Sequence, residues 1–496
     1  MAMQARSKAQ AQASMGRTLA FIIGAVVAAS GAAMLVPALV SLGYQEWTEA
    51  GQIFAAAIVT VTVGAIFWRV IGRHGTLTTK EGFAAVGLAW FVMAFFGTLP
   101  YLFTGSIDNL TDAFFETAAG FTTTGSSIIP DPSTLSHGIL IWRAATQWMG
   151  GMGVIVLSIA ILPLLGVGGV QLAKAETPGP QPDRLTPRFR ETAKRLWFVY
   201  VAFTAIEALL LWAGDMSLFQ AVAHSLTTMS TGGFGTEATS ITDFSAYTQW
   251  VIIAFMVVAG ASFALHFRAL RKPGEYLKNS EFRLYGSLVL IATAIIAFGI
   301  WDSAMWHSSI RDSAFTAVSM VTTTGYATAD FGAWAPGLQI IVVGLMFLGG
   351  SAGSTAGGVK TFRLAVLTKA AAADLRRLVH PRGVFVTRFG GKSVPDPIVE
   401  SVQSFFLFYM FLFMTGTVLL GLIESRLGTG LDLITSTSAV ASALGNIGPG
   451  LGEVGPTANF LAVPWLGKWL LAFLMIAGRL EIFPVLLLFT RNLWRN

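Results

Sequence analysis

The residues of this chain best placed to do chemistry lie in four short clusters of small residues. They are Thr122-Thr123-Thr124-Gly125, Met229-Ser230-Thr231-Gly232, Thr322-Thr323-Thr324-Gly325 and Gly445-Asn446-Ile447-Gly448. What such residues can offer is oxygen. Glycine reaches dihedrals that turn a backbone carbonyl toward an axis without a Cβ penalty, while Thr and Ser pack tightly behind and add hydroxyls. Several oxygens converging from all sides can replace the water shell of a monovalent cation. With no acidic residue in any cluster, the arrangement favours monovalent over divalent ions. The expected ion-binding set is Thr123, Thr124, Gly125, Ser230, Thr231, Gly232, Thr323, Thr324, Gly325, Asn446, Ile447 and Gly448.

The elements that must position these clusters are legible in the hydropathy. Each cluster follows a moderately apolar segment too short to cross a bilayer, at 111–121, 217–228, 310–321 and 431–444. Around them lie runs of the roughly 20 apolar residues that a bilayer core requires, at 18–42, 51–70, 82–104, 138–166, 196–214, 247–267, 284–302, 337–359, 401–423 and 464–489. The clusters fall after the third, fifth, seventh and ninth of these ten spans, and the first two spans form an extra hairpin. Helix, half-helix, loop, helix is how irregular backbone reaches the middle of a membrane, where lipid-exposed backbone is forbidden. The half-helices would aim their partially negative C-terminal ends at a cavity and stabilise a cation there. Recurrence roughly one hundred residues apart is the mark of duplicated units. The plainer reading, that Gly, Ser and Thr merely allow close helix packing in lipid, would suit one cluster better than four on the same side.

Composition and charge narrow the class. Apolar residues make up 54% and charged ones 12% of the 496 residues, with mean hydropathy +0.66, a balance no ordinary soluble domain has. Cysteine is absent, which excludes disulfides, thiolate metal sites and cysteine nucleophiles. The six histidines show no metal-ligand spacing, and no cofactor is implied. A net charge of +6 would suit nucleic acid, but its placement is a topology signal instead. All Lys and Arg except Arg143, Arg311, Lys360, Arg426, Lys468 and Arg479 fall on one side of the ten spans, as the positive-inside rule asks of a chain with both termini cytoplasmic. The four clusters then open outward, where Glu46, Glu49, Asp108, Asp112, Asp243, Asp302, Asp330, Asp432 and Glu453 would concentrate cations. Residues 1–17 read as an uncleaved cytosolic tail, and no nucleic-acid partner is expected.

Two further features bear on control of flow. The run from Gly349 to Gly358 interrupts the eighth span, and backbone freed by such a break must face protein or a water cavity. A phosphate cradle fails there because Val359 stands where the motif needs Lys. A loop beneath the clusters acting as a gate is the physical alternative, with Gly349, Gly350, Gly353, Gly357, Gly358 and Lys360 as its residues. Arg479 lies inside the last span, where a charge is costly and faces a cavity or a partner. Glu481, two residues on, is on a different helix face and is an unsuitable partner. Glu116, on the first half-helix, suits a hydrogen bond behind the loop better than ion contact, and His224 suits a structural role. Glu207 is a second acid within a span, without an assigned role.

The runs FFETAAGFTTTGSS (114–127), QWMGGMGVIVLSIAILP (147–163), HSLTTMSTGGF (224–234), GGSAGSTAGGVKT (349–361), SALGNIGPGLG (442–452) and GRLEIFPVLLL (478–488) resemble the Trk/Ktr/HKT superfamily of potassium transporters. The N-terminal hairpin resembles the TrkH type of pore-forming subunit rather than the shorter Ktr type, and the likeness covers residues 18–490. It implies an all-α polytopic membrane protein with four M1–P-loop–M2 repeats around a central pore. The units would be a tail at 1–17, a hairpin at 18–72, and pore repeats at 80–170, 194–270, 281–368 (with the gate loop) and 398–490. It also implies potassium uptake across the cytoplasmic membrane, a homodimer in the lipid bilayer, and a cytosolic nucleotide-binding ring of TrkA type beneath it. Filter glycines map onto Gly125, Gly232, Gly325 and Gly448. Glycine at all four goes with K⁺ in that family, with Rb⁺ and Na⁺ as further candidate ions, whereas serine at the first marks sodium-preferring relatives. The gate role of 349–358 and the barrier role of Arg479 follow from the same resemblance. Open alternatives are a Na⁺-permeable pore, K⁺/Na⁺ or H⁺ symport, and, from another class, a membrane-embedded enzyme. For an enzyme the spans offer only the scattered Glu207, Arg479 and Glu481.

Overall fold

The computed structural model describes residues 2–71, 79–160, 185–428 and 430–494. Helices dominate. The strands among the described residues are two-residue pairs: β1 (Leu348–Gly349) runs parallel to β2 (Val359–Lys360), and β3 (Arg388–Phe389) runs antiparallel to β4 (Lys392–Ser393). Six helical stretches among the described residues are long and apolar enough to cross a bilayer, at Met15–Gly43, Trp47–Arg69, Glu81–Thr104, Glu191–Trp212, Ser280–Gly299 and Asp396–Leu427. A bent pair brings the number to seven. These helices leave large apolar side chains outside: Phe298 is 90% exposed and Leu290 70%. Such a surface would aggregate in water but is the natural face toward lipid. The protein is a multi-pass membrane protein.

The short helices show the opposite pattern. They run Leu110–Phe121, Leu218–Met229, Trp306–Val321 and Leu433–Gly445, close to the half-helices expected from sequence. The first buries every residue from Asp112 to Phe121, and the last every residue from Ser438 to Gly445. At 1.5 Å per residue, a twelve-residue helix extends about 18 Å, little more than half of a bilayer core. Three of their starts are fixed by side-chain caps. Asn109 accepts the Asp112 N–H (2.9 Å) and Asp432 that of Thr435 (2.7 Å). Ser217 and Gln220 form a reciprocal capping box.

The helices that follow the short ones depart from the continuous spans expected. The run expected at 247–267 bends by 100° between Ala246–Ala259 and Phe263–Ala269. The one expected at 337–359 ends at Met346 and resumes as Thr361–Val379, the interruption that the run from Gly349 to Gly358 predicts. The last stops at Arg479 and resumes as Phe483–Leu488. There Glu481 and Ile482 both take positive φ (58° and 67°), which a β-branched residue such as Ile482 resists. Hydropathy was blind to the first and last of these breaks, because Gly260-Ala261-Ser262 is small and Glu481 is a single charge between Leu480 and Ile482. The first of these helices, His137–Ala160, is continuous; the remainder of the expected 138–166 span and most of the loop at 172–195 lie outside the described residues.

The N-terminal hairpin packs helix on helix through glycines. A Cβ on Gly24 would lie 2.7 Å from the Trp68 nitrogen, one on Gly31 2.8 Å from the Val61 nitrogen, and one on Gly64 would collide with the Ala28 nitrogen. This is small-residue packing of the kind that replaces hydrophobic driving force in lipid. The hairpin tip is held to the rest by Glu46, whose carboxylate accepts the His137 backbone N–H (2.9 Å) and contacts His137 Nδ1 (2.7 Å). Gly64→Val should lower the thermal midpoint of the detergent-solubilised protein by an amount equivalent to about 1–3 kcal/mol, the usual cost of overpacking. A fluorescence melting curve beside wild type would measure it.

Candidate ion-conduction pathway

At the end of each short helix the chain follows the same course. Thr123, Thr231, Thr323 and Asn446 take left-handed conformations, with φ of 53°, 54°, 56° and 57°. The next residue donates its N–H back into the helix: Thr124 to Ala119 O (2.9 Å), Gly232 to Thr227 O (2.8 Å), Thr324 to Ser319 O (2.9 Å) and Ile447 to Ser442 O (3.0 Å). One residue further stands a left-handed glycine: Gly125 (φ 80°), Gly233 (76°), Gly325 (81°) and Gly448 (113°). This register corrects one assignment made from sequence. In the second loop the equivalent glycine is Gly233, and Gly232 occupies the place of Thr124. Two adjacent glycines make the choice undecidable from residue type; only the dihedral separates them.

The four glycines lie against each other's loops in a closed circuit. A Cβ on Gly125 would overlap the carbonyl oxygen of Gly232, one on Gly233 that of Thr324, and one on Gly325 that of Ile447. One on Gly448 would lie 2.8 Å from the oxygen of Thr124. Each loop thus rests a glycine on the next loop's carbonyl, and the fourth returns to the first. All four glycines line one cavity of about 150 Å³, together with Ser126, Phe234 and Pro449. The Thr123 hydroxyl is buried without a hydrogen-bond partner from the protein.

Behind the ring the loops are tied to the scaffold by polar groups, of which the sequence singled out Glu116 and Asn446 but not Gln147. Arg143, 2% exposed, pairs through Nε with Glu116 (3.0 Å), which is fully buried. It also donates to Gly235 O (3.2 Å) and to Ser127 Oγ (3.1 Å), and stacks over Phe234 at 4.2 Å. Glu116 in turn accepts the Ile128 N–H (2.9 Å). It therefore sits behind the loop, as its position suggested, but as half of an ion pair. Gln147 donates to Gly232 O (2.7 Å) and accepts the Phe234 N–H (3.1 Å). Asn446 donates to Thr124 Oγ1 (3.0 Å) and Met475 O (2.8 Å). Arg143 and Lys468 were visible only as cations off the basic side of the topology. Lys468 pairs with Asp112, and this was the sole sequence signal for such partners.

The Gly-rich segment lies beneath the ring. Gly349 and Lys360 pair across its neck, and Gly353 and Gly358 take left-handed turns (φ 77° and 62°). Gly350 and Gly357 allow close approach, since a Cβ on either would collide with the carbonyl of Gly260 or Gly445. The Gly357 N–H donates to Thr323 Oγ1 (2.7 Å), so the segment bonds directly to a residue of the third loop. Ser351 N donates to Gly260 O (2.8 Å), and Phe263 N to Gly353 O (3.0 Å). Lys360, buried, donates to Ala356 O. Arg479, 3% exposed, donates to Thr355 O (2.6 Å) and Gly150 O (3.4 Å). It thus pins the segment to the helix that follows the first loop. Glu481 pairs with Arg363 (2.6 Å) rather than with Arg479. Glu281 accepts the Ala352 N–H (2.7 Å), another contact not foreseen. His224, buried, meets Thr236 Oγ1 at 3.2 Å, and Glu207 is buried with neither oxygen hydrogen-bonded.

Comparison with known proteins agrees with this geometry. A family model described as TrkH, cation transport protein, matches residues 50–495. The chain is similar to the Trk system potassium uptake protein TrkH of Salmonella typhimurium (strain LT2), with 39% identity covering 97% of this chain and 99% of that one. It is similar to TrkI of Halomonas elongata at 37% identity, covering 93% and 94%. Among solved structures, the crystal structure of the potassium transporter TrkH from Vibrio parahaemolyticus superposes with a TM-score of 0.88 at 36% identity, covering 97% and 99%.

Removing one partner of a buried ion pair leaves the other charge uncompensated, at a cost of about 3–5 kcal/mol. Arg143→Ala should therefore yield little monodisperse protein on size-exclusion chromatography, and adding Glu116→Gln should recover much of it. Equal behaviour of the single and double variants would show that the pair is not what holds the first loop.

Proposed function

The chain belongs to the TrkH family of cation transport proteins, and from that membership we infer that it takes up potassium through the ring of four glycine loops. The observation that carries the reading is the closed circuit of glycine-to-carbonyl contacts, which brings backbone oxygens of four separate segments together beside a cavity that the four glycines line. An ion entering there exchanges water for carbonyl oxygens, with the C-terminal ends of the short helices adding partial negative charge. Inward movement is driven by membrane potential, worth about 2.3 kcal/mol per charge per 100 mV.

On this reading the long and broken helices make ten spans arranged as a hairpin and four M1–P–M2 units, and the broken helices are the inner halves of those units. The Gly-rich segment 349–358 is the gate: it stands between the ring and the basic side. Arg479 is both its pin and an electrostatic barrier to a cation. Basic residues on the loops at 268–283 and 363–392 support a cytosolic face, an inner-membrane location and cytoplasmic termini. The same face is where a TrkA-type regulatory ring would dock to release the gate, on a homodimer of this chain.

In cells lacking their own potassium transporters, wild type with a cytosolic partner supplied should restore rubidium uptake; no uptake would end the pore reading. Gly125→Ser should shift preference from K⁺ toward Na⁺, and an unchanged preference would detach Gly125 from selectivity. For the gate, deletion within 350–357 or Arg479→Ala should raise flux. Unaltered flux in both would leave the segment as scaffold.

A further inference from the structure

The second loop lacks a feature that the first and third share. In those, hydroxyls two residues apart pair across the turn: Thr122 Oγ1 with Thr124 Oγ1 (2.7 Å) and Thr322 Oγ1 with Thr324 Oγ1 (2.8 Å). The corresponding residues of the second loop are Ser230 and Gly232. Gly232 has no side chain, and Ser230 Oγ turns back to Leu226 O (2.9 Å) and Thr227 O (3.0 Å). No pair of side chains within the second loop braces its turn.

The missing volume is nonetheless filled. A Cβ on Gly232 would fall inside the carboxamide of Gln147, colliding with Cδ and Oε1 and lying 2.8 Å from Nε2. Gln147 is fully buried and projects from the helix His137–Ala160, which follows the first loop. Its two polar atoms bind the backbone on both sides of Gly233. Nε2 donates to Gly232 O (2.7 Å), and Oε1 accepts the Phe234 N–H (3.1 Å). A reversed amide would set acceptor against acceptor and donor against donor, so the backbone dictates the orientation. The same Gly232 oxygen is the one on which Gly125 rests.

We propose that Gln147 is a positioning residue of the filter: its carboxamide replaces the side chain absent at Gly232, clamps Gly233 in its left-handed conformation, and sets the spacing between the first and second loops. This rests on the pore reading above and extends it to a residue outside the four loops. One carbonyl of the ring is thereby held in place by an amide donor, which fixes its direction.

The test is rubidium uptake with sodium competition, in cells lacking their own transporters, normalised to folded protein in the membrane. Gln147→Ala frees the Gly232 carbonyl and should raise the KM for Rb⁺ about fivefold, the equivalent of one lost hydrogen bond, and increase inhibition by Na⁺. Gln147→Glu keeps the volume but sets an acceptor against that carbonyl; it should do the same, and it guards against Gln147→Ala failing to fold. Gly232→Thr alone should be inactive, because the new side chain meets the carboxamide. Gly232→Thr combined with Gln147→Ala should recover Rb⁺ affinity, since the introduced hydroxyl can then pair with Ser230 as the threonines do in the first and third loops. A structural brace without influence on the filter would lower protein amount but leave KM and Na⁺ inhibition unchanged, and that result would overturn the proposal. Equal tolerance of Gly232→Thr with and without Gln147 would overturn it too. If wild type itself carried no Rb⁺, the pore reading would fail and the proposal with it; normal wild-type uptake with unaltered variants would refute the role of Gln147 alone.

Discussion

A helix that stops inside a bilayer leaves up to four carbonyls with no water to bind. Four such helices end at one level in this protein, and three of the helices beside them break below that level. Nearly every unusual contact described above is an answer to those orphaned groups. Some carbonyls meet the glycine of the neighbouring loop. Others are met by the Gly-rich segment: Ser351 N binds Gly260 O, and the Thr355 hydroxyl lies 3.1 Å from both Met229 O and Ala259 O. That segment takes the place of water around broken backbone, and for this reason it must be both polar and narrow. Glycine and small hydroxyl residues meet both demands.

The ring is regular in backbone and irregular in everything that supports it. Loops one and two are joined through Gln147, two and three by the Tyr326 hydroxyl reaching Thr227 and Phe234 O, and four and one by Asn446 and by Ser126 donating to Gly448 O (2.9 Å). Between three and four there is packing, with Pro449 Cδ 2.9 Å from where a Cβ of Gly325 would be. A ring built from identical chains would have one brace repeated. Here each junction has its own chemistry, so the four quarters need not respond alike to one ion.

Much of this was legible in the sequence, and what was not has identifiable causes. The short helices announced themselves by length, since an apolar run of a dozen residues cannot cross a membrane. The glycine ring announced itself through residue type, except where Gly232 and Gly233 stand together and dihedral rather than identity decides. Breaks at 260–262 and 480–482 stayed hidden, because Ala261 and Ile482 look like any residue of a span. The braces stayed hidden for a different reason: Gln147 and Phe234, or Arg143 and Glu116, are partners across distances in the chain that no local pattern encodes. Arg479 lay between two readings, and its bond to Thr355 O fits a pin while leaving a charge under the ring.

The Gly-rich segment also has a consequence for symmetry. Among the described residues, the stretch between Met346 and Thr361 is the one such loop beneath the ring. Four identical chains around an axis would have to repeat it four times in the same space. One chain whose four glycine loops differ in sequence carries it once, so the uneven support below the ring depends on the loops being covalently joined.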